Sequence, residues 1–272
     1  MSKIRLIVSD LDGTLLSEDN NVTPSVKEAI DRFTADGGMF TIATGRVGQS
    51  THKIAEELNI DLPYITCNGS VIADKHKVWA ESVLSVKELV PFLLEADSAG
   101  ISVLLFEEKR LEAFKYSEDL DEFEMKEGLK FTIVDRSTDE WTNRFVQKVL
   151  LIGDMDKIKK IWSLYKSNFG TLCSTIQSED NFFELIPHGQ SKGTALKKLM
   201  GMLNVDASET LCIGNQMNDL SMIEIAGVGA AVANSSSGLL ERASYVCSNS
   251  FGEGVVEVIH KFCINTTQME VK

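Results

Sequence analysis

The 272-residue sequence lacks long apolar segments, and it lacks an excess of positive charge. No apolar run approaches the roughly 20 residues of a membrane-spanning helix, so we expect no membrane partner. Lys and Arg number 27 against 40 Asp and Glu, and the net charge of −13 argues against nucleic acid as a partner, because phosphate backbones bind clustered cations. A small phosphorylated ligand is compatible with this charge if a metal ion and a few cations reverse the field locally.

Cysteine pairs and an export signal are missing as well. The five cysteines are scattered without a Cys-x-x-Cys spacing, which predicts free and mostly buried thiols. Residues 1–5 lead directly into an apolar run without the pattern of a signal peptide. With 43% hydrophobic and 25% charged residues, the composition is that of an ordinary globular protein. We therefore expect a cytoplasmic protein with a packed core, as a monomer or a homodimer.

Strand-like and helix-like segments alternate regularly in the first and last parts of the chain. Apolar runs of strand length end near residues 9, 43 and 67, and helical periodicity follows the first two of them. The alternation returns after Ser191, which is predicted to cap a helix. This order is typical of a Rossmann-like, doubly wound parallel sheet, so we predict an α/β core formed by residues 1–83 and 188–272.

The intervening residues 84–187 lack this alternation and predict an inserted α+β domain. Its first helix is predicted to begin at a capping box of Ser85 and Glu88. Strand-like runs cover 101–106, 109–116, 145–152, 171–176 and 182–186. Residues 118–140 are charged without a regular pattern, so no element is predicted there. Trp141, Phe182 and Phe183 could close over a substrate, although packing inside the domain is the more ordinary role.

Two carboxylates stand where the first predicted strand ends, in Asp10-Leu11-Asp12-Gly13-Thr14. Asp is depleted in strands, and residues two apart in an extended chain share a face. Asp10 and Asp12 can therefore point into one cleft at the carboxyl edge of the sheet, where open α/β sheets bind ligands. A solvent-exposed acidic turn is the simpler alternative, but such a turn would not require two carboxylates that lie two residues apart. Because Mg²⁺ prefers carboxylates, waters and phosphate oxygens, we predict a magnesium site in which one Asp attacks phosphorus.

Polar groups also follow the later strands. Thr44 and Gly45 offer a hydroxyl and N–H groups for phosphate oxygens at a helix start, and Asn68-Gly69 follows the third strand. Lys192 lies in the first turn of a predicted helix, where the positive end of the helix dipole makes a lysine unfavourable. Lys192 is therefore either an ordinary surface lysine or a cation that neutralises a phosphomonoester, and its place at the same sheet edge favours the second role.

These motifs resemble those of the haloacid dehalogenase superfamily. Asp10–Thr14 resembles the first motif, Thr44–Arg46 the second, Ser191–Gly193 the third and Gly214–Asp219 the fourth. Their order, their placement at strand ends and the long insertion between the second and third motifs are similar to Cof-type phosphatases with a type IIB cap. The resemblance covers essentially the whole chain, and it implies that the inserted domain closes over the active site as a cap.

The resemblance implies a role for each matching residue. Asp10 would be the nucleophile and a magnesium ligand, and Asp12 would be the general acid/base that binds magnesium through its backbone carbonyl. The phosphoryl group would be held by Lys192, a further catalytic residue, together with Leu11, Thr44, Gly45 and Asn218. The leaving group would face Arg46, Asn68 and Gly69. Magnesium would also be bound by Asn215 and Asp219.

One position departs from the superfamily pattern. The fourth motif usually reads Gly-Asp-x-x-Asn-Asp, and Asn215 replaces its first Asp here. An amide oxygen can still bind a hard cation, but one negative charge is lost, so we expect magnesium affinity to fall by about tenfold or more. Asp219 could compensate in part, directly or through a bound water.

The residues and the resemblance together predict Mg²⁺-dependent hydrolysis of a small phosphomonoester, such as a sugar phosphate, through phosphorylated Asp10. Two alternatives stay open at this point. A phosphomutase would use the same aspartyl-phosphate and return the phosphoryl group to its substrate. A regulator that binds a phosphorylated metabolite without efficient catalysis is supported by Asn215 alone.

Overall fold

The computed structural model describes residues 3–108 and 110–263. Its strands, in chain order, are β1 Leu6–Ser9, β2 Met39–Ile42, β3 Tyr64–Thr66, β4 Val71–Ala73, β5 Val78–Glu81, β6 Leu84–Ser85, β7 Ser102–Phe106, β8 Leu111–Ala113, β9 Thr132–Ile133, β10 Phe145–Val146, β11 Lys148–Ile152, β12 Cys173–Glu179, β13 Phe182–Pro187, β14 Thr210–Gly214, β15 Val228–Ala231 and β16 Tyr245–Val246. Its helices are α1 Pro24–Ala35, α2 Gly48–Glu57, α3 Val86–Ser98, α4 Glu118–Glu127, α5 Met155–Phe169, α6 Lys192–Leu203, α7 Leu220–Ile223, α8 Ser237–Leu240 and α9 Phe251–Phe262. Within these residues, no helix combines the length and apolarity needed to cross a membrane.

A parallel sheet with helices on both faces forms one half of the molecule. Its strand order is β16-β15-β14-β1-β2, and a single parallel bridge between Ala43 and Ile65 continues it to β3. Along β1 the side chains alternate: Ile7 packs with α1 and α9, whereas Leu6 and Val8 pack with α6 and α7. This alternation lets one strand serve two hydrophobic cores, so the predicted doubly wound α/β fold is confirmed.

A second sheet draws its strands from residues 102–187. Its order is β12-β13-β11-β7-β8-β9, antiparallel except for the β8–β9 pair. Helices α3 and α5 cover one face, and the opposite face packs with α4 and with Val47 and Cys67, which come from the first part of the chain. The second sheet therefore rests directly against the loops that follow β2 and β3.

Three local predictions for residues 84–187 need correction. Ser85 makes no capping bond with its side chain, because it pairs with Phe145 as part of β6. The run 145–152 forms two strands that are separated at Gln147. Strand β10 pairs with β6, and β11 pairs with β7 in the second sheet. In the run 109–116, Lys109 lies outside the described residues, and residues 110–116 keep strand geometry only in β8. Residues 118–140, for which no element is predicted, contain α4 and β9.

The cysteine prediction is confirmed for the described residues. Cys67, Cys173, Cys212 and Cys247 are buried free thiols, and Cys263 is a partly buried one. Trp141 packs edge-on against Phe114 inside the second half of the molecule, which is the ordinary packing role.

Candidate active site

Four chain segments that follow parallel strands meet at one edge of the sheet. Asp10 follows β1, and its N–H donates to Ile213 of the neighbouring β14 at 3.0 Å. The N–H of Asn68, after β3, donates to the carbonyl of Thr44, after β2, also at 3.0 Å. The carboxyl ends of parallel strands share an edge, so residues far apart in sequence become neighbours here.

A cleft of about 600 Å³, measured out to its open mouth, lies between this edge and the second sheet. Its floor includes Asp10, Asp12, Gly45, Arg46, Asn215 and Asn218, and its roof comes from α4, β7, β11 and the β12–β13 hairpin.

Lys192 lies buried behind the floor of the cleft and joins two carboxylates. Its Nζ is 2.6 Å from Asp10 Oδ1 and 2.6 Å from Asp219 Oδ1. The Lys192 and Asp219 side chains are 0% exposed and that of Asp10 is 7% exposed, so Lys192 is not a surface lysine. The second Asp219 oxygen accepts from the N–H groups of Asn215 and Gln216 at 2.9 and 3.0 Å. Asp219 is thereby fixed, and it orients the lysine toward Asp10.

Two local features bring Lys192 to this place. Ser191 caps α6 by accepting from the Thr194 N–H, so the helix begins at the lysine. Gly69 has φ of +100°, and a Cβ atom at this glycine would lie 2.1 Å from the Ser191 carbonyl oxygen. The absence of a side chain at Gly69 therefore lets the turn after β3 contact the start of α6.

The electrostatic surroundings of Asp10 differ from those of a carboxylate in water. Burial raises the pKa of Asp10 to about 7, and the nearby Asp219 and Asp12 charges add to this effect, whereas Lys192 opposes it. The Thr14 hydroxyl also donates to Asp10 Oδ2 at 2.9 Å. For Lys192, burial favours the neutral amine, but Asp10 and Asp219 outweigh it and raise the lysine pKa. The lysine therefore stays charged beside Asp10.

Asp12 is held by Arg46. The guanidinium contacts both carboxylate oxygens, with Arg46 Nη2 2.6 Å from Asp12 Oδ1 and Nε 2.9 Å from Oδ2. Arg46 Nε also lies 3.9 Å from Glu127 of α4. Arg46, predicted to face the leaving group, thus bridges a carboxylate on the sheet edge and one on the roof of the cleft.

A chain of polar contacts connects the floor of the cleft to its roof. Asn218 Nδ2 donates to Asn68 Oδ1, and Asn68 Nδ2 donates to Glu184 Oε2, both at 3.0 Å. Lys148 Nζ donates to Glu184 Oε2 at 3.2 Å and to the Gly45 carbonyl at 2.9 Å. Lys148 and Glu184 are buried, and an ion pair in such a place needs these additional partners.

The predicted site residues divide into two layers. Asp10, Asp12, Gly45, Arg46, Asn215 and Asn218 line the cleft. Leu11, Thr44, Asn68, Gly69, Lys192 and Asp219 are buried or partly buried behind that lining. The second group acts on the cleft through contacts with the first, as Lys192 does through Asp10 and Asn68 through Asn218.

Sequence reasoning missed four charged residues on the roof, namely Glu127, Lys148, Glu179 and Glu184. Glu184 interrupts the apolar run of β13, and Lys148 directly precedes the apolar run of β11, so a charge beside or inside such a run is a usable signal. Glu127 ends α4, in the segment for which no element is predicted, and it gives no comparable signal. Phe182, considered as a lid residue, does line the cleft.

The donor atoms at this edge fit a hard divalent cation. Asp10, Asp12 and Asn215 line the cleft, and their side chains carry carboxylate and amide oxygens. Mg²⁺ keeps several waters and needs only one or two carboxylates with phosphate oxygens. Over residues 3–108 and 110–263, no three His, Cys, Asp or Glu side chains gather into a metal centre, which does not suit zinc. Asp219 is fully buried and bonded to Lys192 and to the Asn215 N–H, so it is less accessible to a metal than Asp10, which lines the cleft.

Comparisons with known proteins agree with this architecture. The family model of the haloacid dehalogenase-like hydrolases matches residues 7–259. The 5-amino-6-(5-phospho-D-ribitylamino)uracil phosphatase YwtE of Bacillus subtilis is 29% identical over 287 aligned positions, covering 94% of this chain and 97% of YwtE. A haloacid dehalogenase-like hydrolase from Bacteroides thetaiotaomicron superposes with a TM-score of 0.84 at 27% identity, covering 95% of this chain and 99% of that one.

The fold is also shared with the HAD subclass IIB sugar phosphatase BT4131, with a TM-score of 0.83 at 22% identity, covering 95% of this chain and 98% of that one. The match of the family model extends from β1 to α9 and so includes every segment that forms the cleft. The chain therefore belongs to the haloacid dehalogenase-like hydrolase family.

Proposed function

We propose that this hydrolase is a Mg²⁺-dependent phosphatase of small phosphorylated metabolites, with sugar phosphates as the first substrates to test. Asp10 is the nucleophile and forms an aspartyl-phosphate, and residues 84–187 serve as the cap above it. The relatives support phosphatase chemistry, since YwtE and BT4131 are both named as phosphatases. Their names specify different leaving groups, so family membership alone does not identify the substrate of this protein.

The observation that carries the proposal is the buried contact of Asp10 with Lys192. A carboxylate is a weak nucleophile toward a phosphomonoester dianion, because the two negative charges repel each other. Lys192 is 2.6 Å from Asp10 and fixed by Asp219, so a positive charge is already in place where the phosphoryl group must approach. A preorganised charge of this kind stabilises the transition state without a reorganisation cost.

The two carboxylates of the first motif, Asp10 and Asp12, have different roles in the reaction. An Asp10 oxygen forms a bond to phosphorus while the ester P–O bond breaks, and protonated Asp12 gives its proton to the leaving alkoxide. Asp12 then accepts a proton from water, whose oxygen attacks the same phosphorus and frees Asp10 and inorganic phosphate. Arg46 bonds to Asp12 in the structure, so this pair must open before Asp12 exchanges a proton.

Asp10, Asn215 and the backbone of Asp12 would hold Mg²⁺. When bound, Mg²⁺ would supply positive charge that neutralises phosphoryl oxygens. Because Asn215 contributes no negative charge, we propose that saturation requires more magnesium than a site with Asp at this position.

Release of inorganic phosphate from a panel of phosphorylated metabolites, with Mg²⁺ and with EDTA, tests the proposal. The wild-type protein should release phosphate only with the metal, and Asp10→Asn should lower turnover by at least about 10³-fold. Isomerised sugar phosphate without free phosphate would indicate a phosphomutase instead. Equal ligand binding by both proteins, without turnover by either, would indicate a binding protein and refute the phosphatase.

A further inference from the structure

The roof of the cleft carries several charged side chains. It contains Glu127 of α4, Lys148 of β11, Glu179 of β12 and Glu184 of β13, and we call these four residues the cap-side wall. Three of the four are carboxylates, so this wall carries more negative than positive charge.

The cations near this wall are already paired with carboxylates. Lys148 donates to Glu184 and to the Gly45 carbonyl, so two of its three N–H groups are in use. Arg46 binds both oxygens of Asp12 and lies close to Glu127. These two are the cations that line the cleft within the described residues, and neither lacks a carboxylate partner. Glu179 also has a partner, Lys126, which lies outside the cleft lining.

Burial strengthens the effect of these charges. The Glu127 and Glu184 side chains are 10% and 4% exposed, so water screens them poorly. Burial and the Asp12 charge raise the pKa of Glu127, and the neighbouring Arg46 lowers it. A further anion brought against the cap-side wall would meet the same burial and negative charge and would find no unpaired cation.

We infer that the cleft selects phosphomonoesters whose leaving group is uncharged or cationic, and that it disfavours a leaving group with a second negative charge, such as a carboxylate or another phosphate. This inference rests on the proposed phosphatase function and narrows its substrate class. Glu127 is the residue expected to contribute most to the discrimination, because its nearest cation, Arg46, is shared with Asp12.

Two open-chain esters test the inference directly. Sorbitol 6-phosphate and 6-phosphogluconate share a carbon chain and differ at the end away from the phosphate, where a hydroxymethyl group is replaced by a carboxylate. We expect kcat/KM to be at least about tenfold higher for sorbitol 6-phosphate, with the ratio smaller at high salt. An equal or inverted ratio overturns the inference.

The test does not depend on turnover. If neither ester releases phosphate, the metabolite panel still decides the phosphatase proposal, and calorimetric dissociation constants for the same two esters with Mg²⁺ measure the charge preference. Tighter binding of sorbitol 6-phosphate supports the inference, and equal or tighter binding of 6-phosphogluconate overturns it.

A pair of variants on α4 tests the role of Glu127. Glu127→Gln keeps the size of the side chain and removes its charge, and it should lower the sorbitol-to-gluconate ratio by about fivefold. Glu122→Gln makes the same chemical change on the exposed side of the same helix and should leave the ratio unchanged. If the two variants give the same ratio, Glu127 does not determine this specificity. If Glu127→Gln fails to fold, the wild-type ratio alone decides the inference.

Discussion

Replacement of Lys192 by Met should destabilise the protein strongly, and the effect should depend on pH. Lys192 is a single positive charge between two buried carboxylates, each 2.6 Å away. Met has a similar length, so the main loss is the charge and its two hydrogen bonds. Removal of one partner of a buried ion pair costs about 3–5 kcal/mol. For a protein of this size, that cost corresponds to a thermal midpoint lowered by about 10 °C.

The direction of the pH dependence follows from Asp10. Its pKa in the folded protein is about 7 while Lys192 is present, and burial is the main cause. Because Lys192 lowers this pKa, the variant should have a still higher one. A carboxyl whose pKa is raised in the folded state stabilises the fold fully below its unfolded pKa, and this stabilisation is lost as the pH rises through the folded pKa. The difference between variant and wild type should therefore be small at pH 5 and large at pH 8.

Thermal unfolding in EDTA at pH 5 and pH 8 measures this effect without a metal contribution. Lys198→Met is the matched control, because Lys198 is exposed on the same helix. The double variant Lys192→Met/Asp219→Asn removes one of the two uncompensated charges and should recover part of the lost stability. A Lys192→Met midpoint within about 2 °C of the wild type at pH 8 would refute the assignment of Lys192 as the counter-charge of Asp10.

Three further outcomes follow from the geometry. Asn215→Asp should lower the magnesium dissociation constant about tenfold by calorimetry, and an unchanged constant would show that this side chain does not bind the metal. Gly69→Ala should lower the thermal midpoint and turnover together, because its Cβ would lie 2.1 Å from the Ser191 carbonyl; wild-type behaviour would show that the turn shifts freely. Burial raises the pKa of Cys67 to about 12, so this thiol should resist alkylation at pH 8 until urea unfolds the protein, and rapid labelling of the native protein would contradict its burial.

The sheet edge could be predicted from the sequence because its geometry follows from simple periodicities. Alternation along β1 and helical spacing in α1 both give a parallel sheet, and the polar residues after β1, β2 and β14 then share one edge. The role of Lys192 as a cation at the site could also be predicted, as one of two alternatives, because a lysine at a helix start is locally unfavourable. The residues at this edge of the sheet could therefore be identified from the sequence.

The roof of the cleft could not be predicted in the same way. The break at Gln147 depends on pairing with residues far away in sequence, and periodicity within 145–152 contains no sign of it. Glu127 lies on a helix whose charged sequence gives few apolar positions for a pattern, with Leu120 and Phe123 as its buried residues. Such a helix is stabilised by its tertiary contacts rather than by local propensity.

Arg46 lies between the sheet edge, which could be predicted from the sequence, and the roof of the cleft, which could not. A family resemblance places Arg46 at the leaving group, and the structure shows it bonded to Asp12 and close to Glu127. Both positions are compatible if the guanidinium exchanges partners, because an arginine has five N–H donors and a substrate oxygen can replace one carboxylate contact. Substrate entry would then free Asp12 from its ion pair at the moment when a proton is needed. Arg46→Lys, which keeps the charge but loses the planar fork, should therefore lower kcat more than it raises KM. A change confined to KM would show that Arg46 only binds the leaving group and leaves Asp12 unaffected.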